Sequence, residues 1–155
     1  MKRRRISMTT NLMDNDRTCP VGRALDVIGD RWSLLIVREA FDGVSRFGDF
    51  QRELGVARNI LTDRLRKLVD AGILLSQPAA DGSAYQAYVL TPRGEGLFPI
   101  VVALRQWGEK HLFARGEKYS RLIDIGTGRP VPLMTPRTGE GRSLSASETR
   151  VKKVV

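Results

Sequence analysis

Two residue types that build functional sites are nearly missing from this chain: Cys19 is its one cysteine and His111 its one histidine. A disulfide within the chain is therefore excluded, as is a zinc site made of Cys and His from one copy. No metal is expected. Scarce cysteine fits a reducing, intracellular setting. Long apolar runs are also lacking, since "LFPIVVAL" at 97–104 is the longest and a bilayer needs about 20 residues. "MKRRRIS" has the charge of a signal peptide's start, but "MTTNLMDNDRT" follows where its apolar core would lie. Neither export nor membrane insertion is expected, and the expected location is the cytoplasm. An enzyme would need a nucleophile with its base and orienting group, or a cofactor fingerprint. The glycine clusters "GTG" and "TGEG" lack the strand-loop-helix setting of a phosphate loop, so neither catalysis nor a cofactor is expected.

Basic charge is present, but unevenly. The net charge is +9 over 155 residues; residues 1–16 carry four Lys/Arg against two acids, 17–115 fourteen against eleven, and 116–155 eight against four. An anionic partner is implied, yet the central region is only mildly basic, so placement of its charges matters more than their number.

Residues 1–18 are polar without periodicity and read as a basic arm. Residues 19–115 carry the pattern of one packed domain. Cys19-Pro20 opens a short helix whose face is Val21, Ala24, Leu25 and Ile28, with Gly29 ending it. Asp30 caps a second helix, "RWSLLIVREAF", apolar almost all round and hence central. Ser45 is the expected cap of a third, "RFGDFQREL", with Phe47, Phe50 and Leu54 inward. A short turn, "GVA", leads to "RNILTDRLRKLVDAG" (58–72), where Leu61, Leu65 and Leu68 share one face. Two amphipathic helices joined in this way have the composition of a helix-turn-helix. "ILLSQ" and "YQAYVL" then read as a β-hairpin with its loop near Asp81-Gly82, the wing of a winged helix.

Thr91-Pro92 starts a long helix running to about Phe113. Its stripe of Leu97, Ile100, Val101, Leu104, Trp107 and Leu112 is broader than a small domain readily covers, and is an expected subunit interface. Residues 116–155 are rich in Gly, Pro, Thr, Ser and Arg and read as a tail. The expected fold is mainly α with a small β-hairpin: a winged helix-turn-helix domain with a long C-terminal dimerisation helix.

"CPVGRALDVIGDRWSLLIVREAFDGVSRFGDFQREL", "LTDRLRKLVDAGIL" and "YVLTPRGEGLFPIVVALRQW" together resemble the HxlR family of bacterial transcription regulators over about residues 19–113. The resemblance implies a homodimeric, MarR-like winged helix-turn-helix protein that binds an operator in double-stranded DNA, usually as a repressor, and responds to small molecules or oxidants. Such a protein works at the nucleoid.

In a helix-turn-helix the second helix enters the major groove with its N-terminal residues at base edges. Arg58, Asn59 and Thr62 are the expected base readers, because arginine pairs with guanine, asparagine with adenine, and threonine meets thymine. Arg66 and Lys67 are expected nearer phosphates, and Asp63 either accepts from cytosine or orients Lys67. Arg46, at the start of the third helix beside free backbone N–H groups, suits a phosphate. Family members usually carry serine where Ala57 stands, so a helix cap is given up here. The wing "SQPAADGSAY" has no Lys or Arg, and the arm at residues 2–5 is the expected substitute. Cys19 sits at a helix N-terminus near Arg17 and Arg23, which favours thiolate; in some relatives a cysteine near this helix senses oxidants or electrophiles. A small packing residue is the alternative. A winged helix that docks RNA or protein is the rival function, though RNA recognition favours exposed aromatics and the recognition helix has none.

Overall fold

The computed structural model describes residues 17–154. The basic arm expected at 1–18 lies outside them but for Arg17 and Thr18. The chain divides into two compact units with the boundary between Leu97 and Phe98.

In the first unit, α1 (Pro20–Ile28) starts where Pro20 can take the first helical position, with Cys19 as N-cap. Only Ile28 of its apolar face is buried; Val21 and Leu25 stay exposed. The expectation of an inward face on α1 thus holds at one residue. Helix α2 (Arg31–Phe41) is capped by the Asp30 carboxylate, which accepts the Ser33 amide. It contributes Ser33, Ile36 and Val37 to the core. Helix α3 (Phe47–Leu54) differs from expectation at its start, because Arg46 and not Ser45 is the N-cap. Ser45 is taken up by sheet pairing: its carbonyl accepts the Tyr88 amide at 2.7 Å, and Arg46 bridges antiparallel to Ala87.

Gly55 ends α3 in the left-handed region, φ +60, which glycine adopts without a Cβ penalty. Val56 is buried in the turn, and α4 (Arg58–Asp70) follows. Leu61, Leu65 and Leu68 are at most 1% exposed. Burying each is worth about 1.5–3 kcal/mol, so this face fixes α4 against α2 and α3. Strands β1 (Leu74–Pro78) and β2 (Gln86–Leu90) pair antiparallel from Leu74↔Leu90 to Pro78↔Gln86, with the wing loop between.

The long helix expected from Thr91-Pro92 is two helices. Thr91 caps α5 (Pro92–Glu95), accepting the Gly94 amide at 3.0 Å while donating its hydroxyl to the Gly72 carbonyl. Gly94 packs so closely on β1 that an added Cβ would lie 2.2 Å from the Ile73 carbonyl oxygen. The chain then turns, with Leu97 N–H bonded to Gly94 O. Pro99 has no N–H with which to continue a helical ladder back to α5.

The second unit begins with α6 (Phe98–His111). Residues 112–154 contribute isolated bridges, Ile123↔Pro130 and Arg137↔Ser143, and one 3-10 turn at Ala146–Glu148. They bind one side of α6: Arg105 donates to Ser120, and Gln106 bonds the Pro132 carbonyl and the Met134 amide. Among the described residues, no helix is long and apolar enough to cross a membrane.

Candidate nucleic-acid interface

The leucine face of α4 points into the first unit, and its opposite side is therefore left to solvent. Arg58, Asn59, Thr62, Arg66 and Lys67 are all exposed there, and Asp63 is half-buried among them. Arg58, Asn59, Thr62, Asp63 and Arg66 together line one shallow depression.

Ala57 has the extended backbone of an N-cap (φ −63, ψ 143) but no side chain to accept a bond. The first intrahelical bond runs from Leu61 N–H to Ala57 O. The amides of 58–60 are thus left without helical acceptors, and this end of α4 carries partial positive charge.

The side chains are prearranged in part. Arg58 lies over the Phe47 ring, 5.2 Å from its centroid. Thr62 donates its hydroxyl back to the Arg58 carbonyl at 2.9 Å, leaving its oxygen lone pairs and methyl outward. Asp63 meets three cations: Arg64 at 2.5 Å, Arg66 at 2.9 Å and Lys67 at 3.2 Å. Its carboxyl is held below the usual carboxylate range, first by the hydrogen bond from Lys67, with slight desolvation opposing and the charges of Lys67, Arg64 and Arg66 adding to the shift. Of the two roles expected for Asp63, this geometry favours orienting Lys67. Arg64 turns inward to Asp30 at 2.9 Å.

Arg46 stands at the start of α3, where its guanidinium is bound by Asp81 of the wing. Asp81 is the hairpin's one charged residue, and nothing in its local sequence reveals a partner 35 positions away. The wing and the helix-turn-helix are thereby tied together at their exposed edge. Between them opens a cleft with a volume of about 520 Å³, lined in part by Arg46, Phe47, Arg58, Tyr85 and Tyr88. Tyr85 was not anticipated as a site residue; its signal was an aromatic ring in a loop, at a position that proves 69% exposed.

In the second unit the stripe expected to form an interface is largely uncovered. Ile100, Leu104 and Trp107 are 41%, 51% and 58% exposed, and Leu112, just past the helix, 66%. Val101 is half-buried, and Leu97 lies before α6 in the turn. At 100° per residue, Ile100, Leu104, Trp107 and His111 fall opposite Val102, Arg105, Gln106 and Glu109. The latter side faces the chain's own C-terminal segment around Tyr119, Leu122 and Val131. Cys19 is half-buried and free, and its Sγ accepts the Gly22 amide at 3.4 Å.

A family model described as HxlR-like helix-turn-helix matches residues 27–115. Rv3095 of Mycobacterium tuberculosis, an uncharacterized HTH-type transcriptional regulator, is 48% identical over 92 residues, 59% of this chain. The match spans 58% of that relative's length. Among solved structures, PA1607, proposed to be a transcription factor, is similar at 52% identity and a TM-score of 0.85, over 88% of this chain and 96% of that one. The redox regulator HypR in its reduced form is similar at 34% identity and a TM-score of 0.56, over 61% of this chain and 94% of HypR.

Proposed function

Because the chain belongs to the HxlR-like helix-turn-helix family, we propose that it is a sequence-specific transcriptional regulator that reads duplex DNA with α4 and acts as a homodimer. The observation that carries this reading is the division of α4 into a buried leucine face and an exposed face bearing Arg58, Asn59, Thr62, Arg66 and Lys67. A helix anchored on one side and polar on the other has the form that enters a major groove. Asn59 and Arg58, at the entering end, read base edges; Thr62 offers its methyl to thymine. Arg66 and Lys67, held by Asp63, meet phosphates, and Arg46 does so at the start of α3. Repression is the expected mode, in the cytoplasm at the nucleoid, without enzymatic turnover.

The uncovered Ile100, Leu104 and Trp107 side of α6, opposite the side bound by the chain's own C-terminal segment, supports a second copy as the partner. Duplex DNA is favoured over RNA or a protein ligand because α4 presents cations and amides without an aromatic ring for stacking. Asn59→Ala tests the reading: a loss of about 1–3 kcal/mol against the preferred duplex, with binding to unrelated duplex unchanged, is expected from the removal of one base contact. Equal loss on all duplexes would place Asn59 outside base readout.

A second reading concerns Cys19. Its half-buried thiol at the start of α1 and the similarity to HypR, solved in reduced and oxidised forms, support oxidant sensing. Oxidation would take the thiol to a sulfenic acid or, with a second thiol, to a mixed disulfide. Release of DNA by peroxide in the native protein but not in Cys19→Ser would support this role; equal release in both would remove it.

A further inference from the structure

The cleft between α3 and the hairpin is unlike the rest of the exposed surface. It has the volume of a small-molecule site, about 520 Å³, and three aromatic rings in its lining, Phe47, Tyr85 and Tyr88. Arg46 and Arg58 stand in the same lining.

The cations there are differently committed. Asp49 also lines the cleft, but its carboxylate is paired with Arg52 at 3.0 Å. Arg46 is paired with Asp81. Arg58 has no acidic partner among the described residues, and its guanidinium rests on Phe47. One carboxylate, that of Asp81, thus already occupies a cleft arginine from the wing side, while a second arginine waits on an aromatic floor.

We infer that this cleft binds planar aromatic carboxylates, whose ring lies against Phe47 and the tyrosines and whose carboxylate takes Arg58 and competes with Asp81 for Arg46. Arginine suits this role because its planar fork matches a carboxylate in two hydrogen bonds and stacks on rings. Asp81 is then an internal stand-in for the ligand's acid. Its displacement frees the wing from α3, and a ligand on Arg58 removes a residue assigned above to base readout. Only this consequence for DNA rests on the proposed function; binding in the cleft does not.

The test uses the full chain with 2-naphthoate, and with 2-naphthamide as an uncharged control of the same shape. Saturable binding of 2-naphthoate is expected, tighter than that of the amide by about tenfold or more, as a hydrogen bond to a charged group implies. Tyr85→Ala should weaken both compounds, and Asp81→Asn should tighten the naphthoate severalfold while leaving the amide unmoved. Arg46→Gln should reduce the preference for the acid. Equal binding of acid and amide, or naphthoate affinity unmoved by Tyr85→Ala and Asp81→Asn alike, would overturn the assignment. A duplex titration with and without naphthoate is read separately. Loss of DNA affinity is expected, and naphthoate binding without any DNA binding would refute the regulator reading while leaving the site in place.

Discussion

Arg64 of α4 donates from its Nε to Asp30 Oδ1 at 2.9 Å, and the same oxygen accepts the Ser33 amide that opens α2 at 3.0 Å. The other oxygen takes the Ser33 hydroxyl at 2.5 Å. One carboxylate therefore caps the central helix and fastens the recognition helix to it.

This arrangement has a pH signature. Burial opposes ionisation of Asp30, but the Ser33 hydroxyl and amide and the Arg64 guanidinium outweigh it, and its carboxyl is held below the ordinary value of 3.8. A depressed folded-state value means that the stabilisation is present above about pH 4 and is lost as the pH falls through the folded value. Asp30→Asn should cost about 1 kcal/mol at neutral pH, an amount limited by solvent screening of a partly exposed pair. Urea unfolding followed between pH 5 and pH 2 should show a steep decline for the native chain and a shallower one for the variant. Parallel declines would assign the acid sensitivity to other groups.

Ala57 already has N-cap backbone geometry. Ala57→Ser should therefore stabilise the first unit by about 0.5–1 kcal/mol by satisfying one free amide at the start of α4. Thermal or urea denaturation measures this directly, and no gain would mean that the amides of 58–60 are satisfied in another way.

Asp63 binds Arg66 and Lys67 across one turn. Asp63→Asn should leave stability nearly unchanged, because exposed pairs contribute about 0–1 kcal/mol. Binding to duplexes of unrelated sequence should strengthen, with a salt dependence steeper by about one unit as a cation is released to phosphate. A weaker affinity would show instead that Asp63 is needed to aim those cations.

Leu104 and Trp107 lie on the uncovered side of α6 at 51% and 58% exposure. Leu104→Asp and Trp107→Glu should preserve the fold, since such surface positions usually tolerate change within about 0.5 kcal/mol. Sedimentation velocity should show the native chain as a dimer and both variants shifted to monomer. A native chain that sediments as a monomer would dispose of the interface.

The order of elements was legible because each rests on a local signal: Pro20 and Pro92 at helix starts, Asp30 and Thr91 as caps, and the leucine spacing of α4. What escaped the sequence was set by partners distant along the chain. Ser45 resembles a cap by composition, but pairing with Tyr88 of β2 claims its backbone. The stripe from Leu97 reads as one helix, whereas the close approach of Gly94 to Ile73 and the proline at 99 divide it. The face of α4 could be read from periodicity alone, but the Asp81–Arg46 pair and the cleft it borders required the hairpin to fold back on α3.

Selection of bound sequences from a random duplex pool by the purified full chain tests the central claim most directly. The result expected is enrichment of an inverted repeat with half-sites about one helical turn, roughly 10 bp, apart, and loss of that enrichment in the Arg58→Ala, Asn59→Ala double variant. A pool that stays random, with no duplex retained even at low salt, would contradict the reading of α4 as a recognition helix.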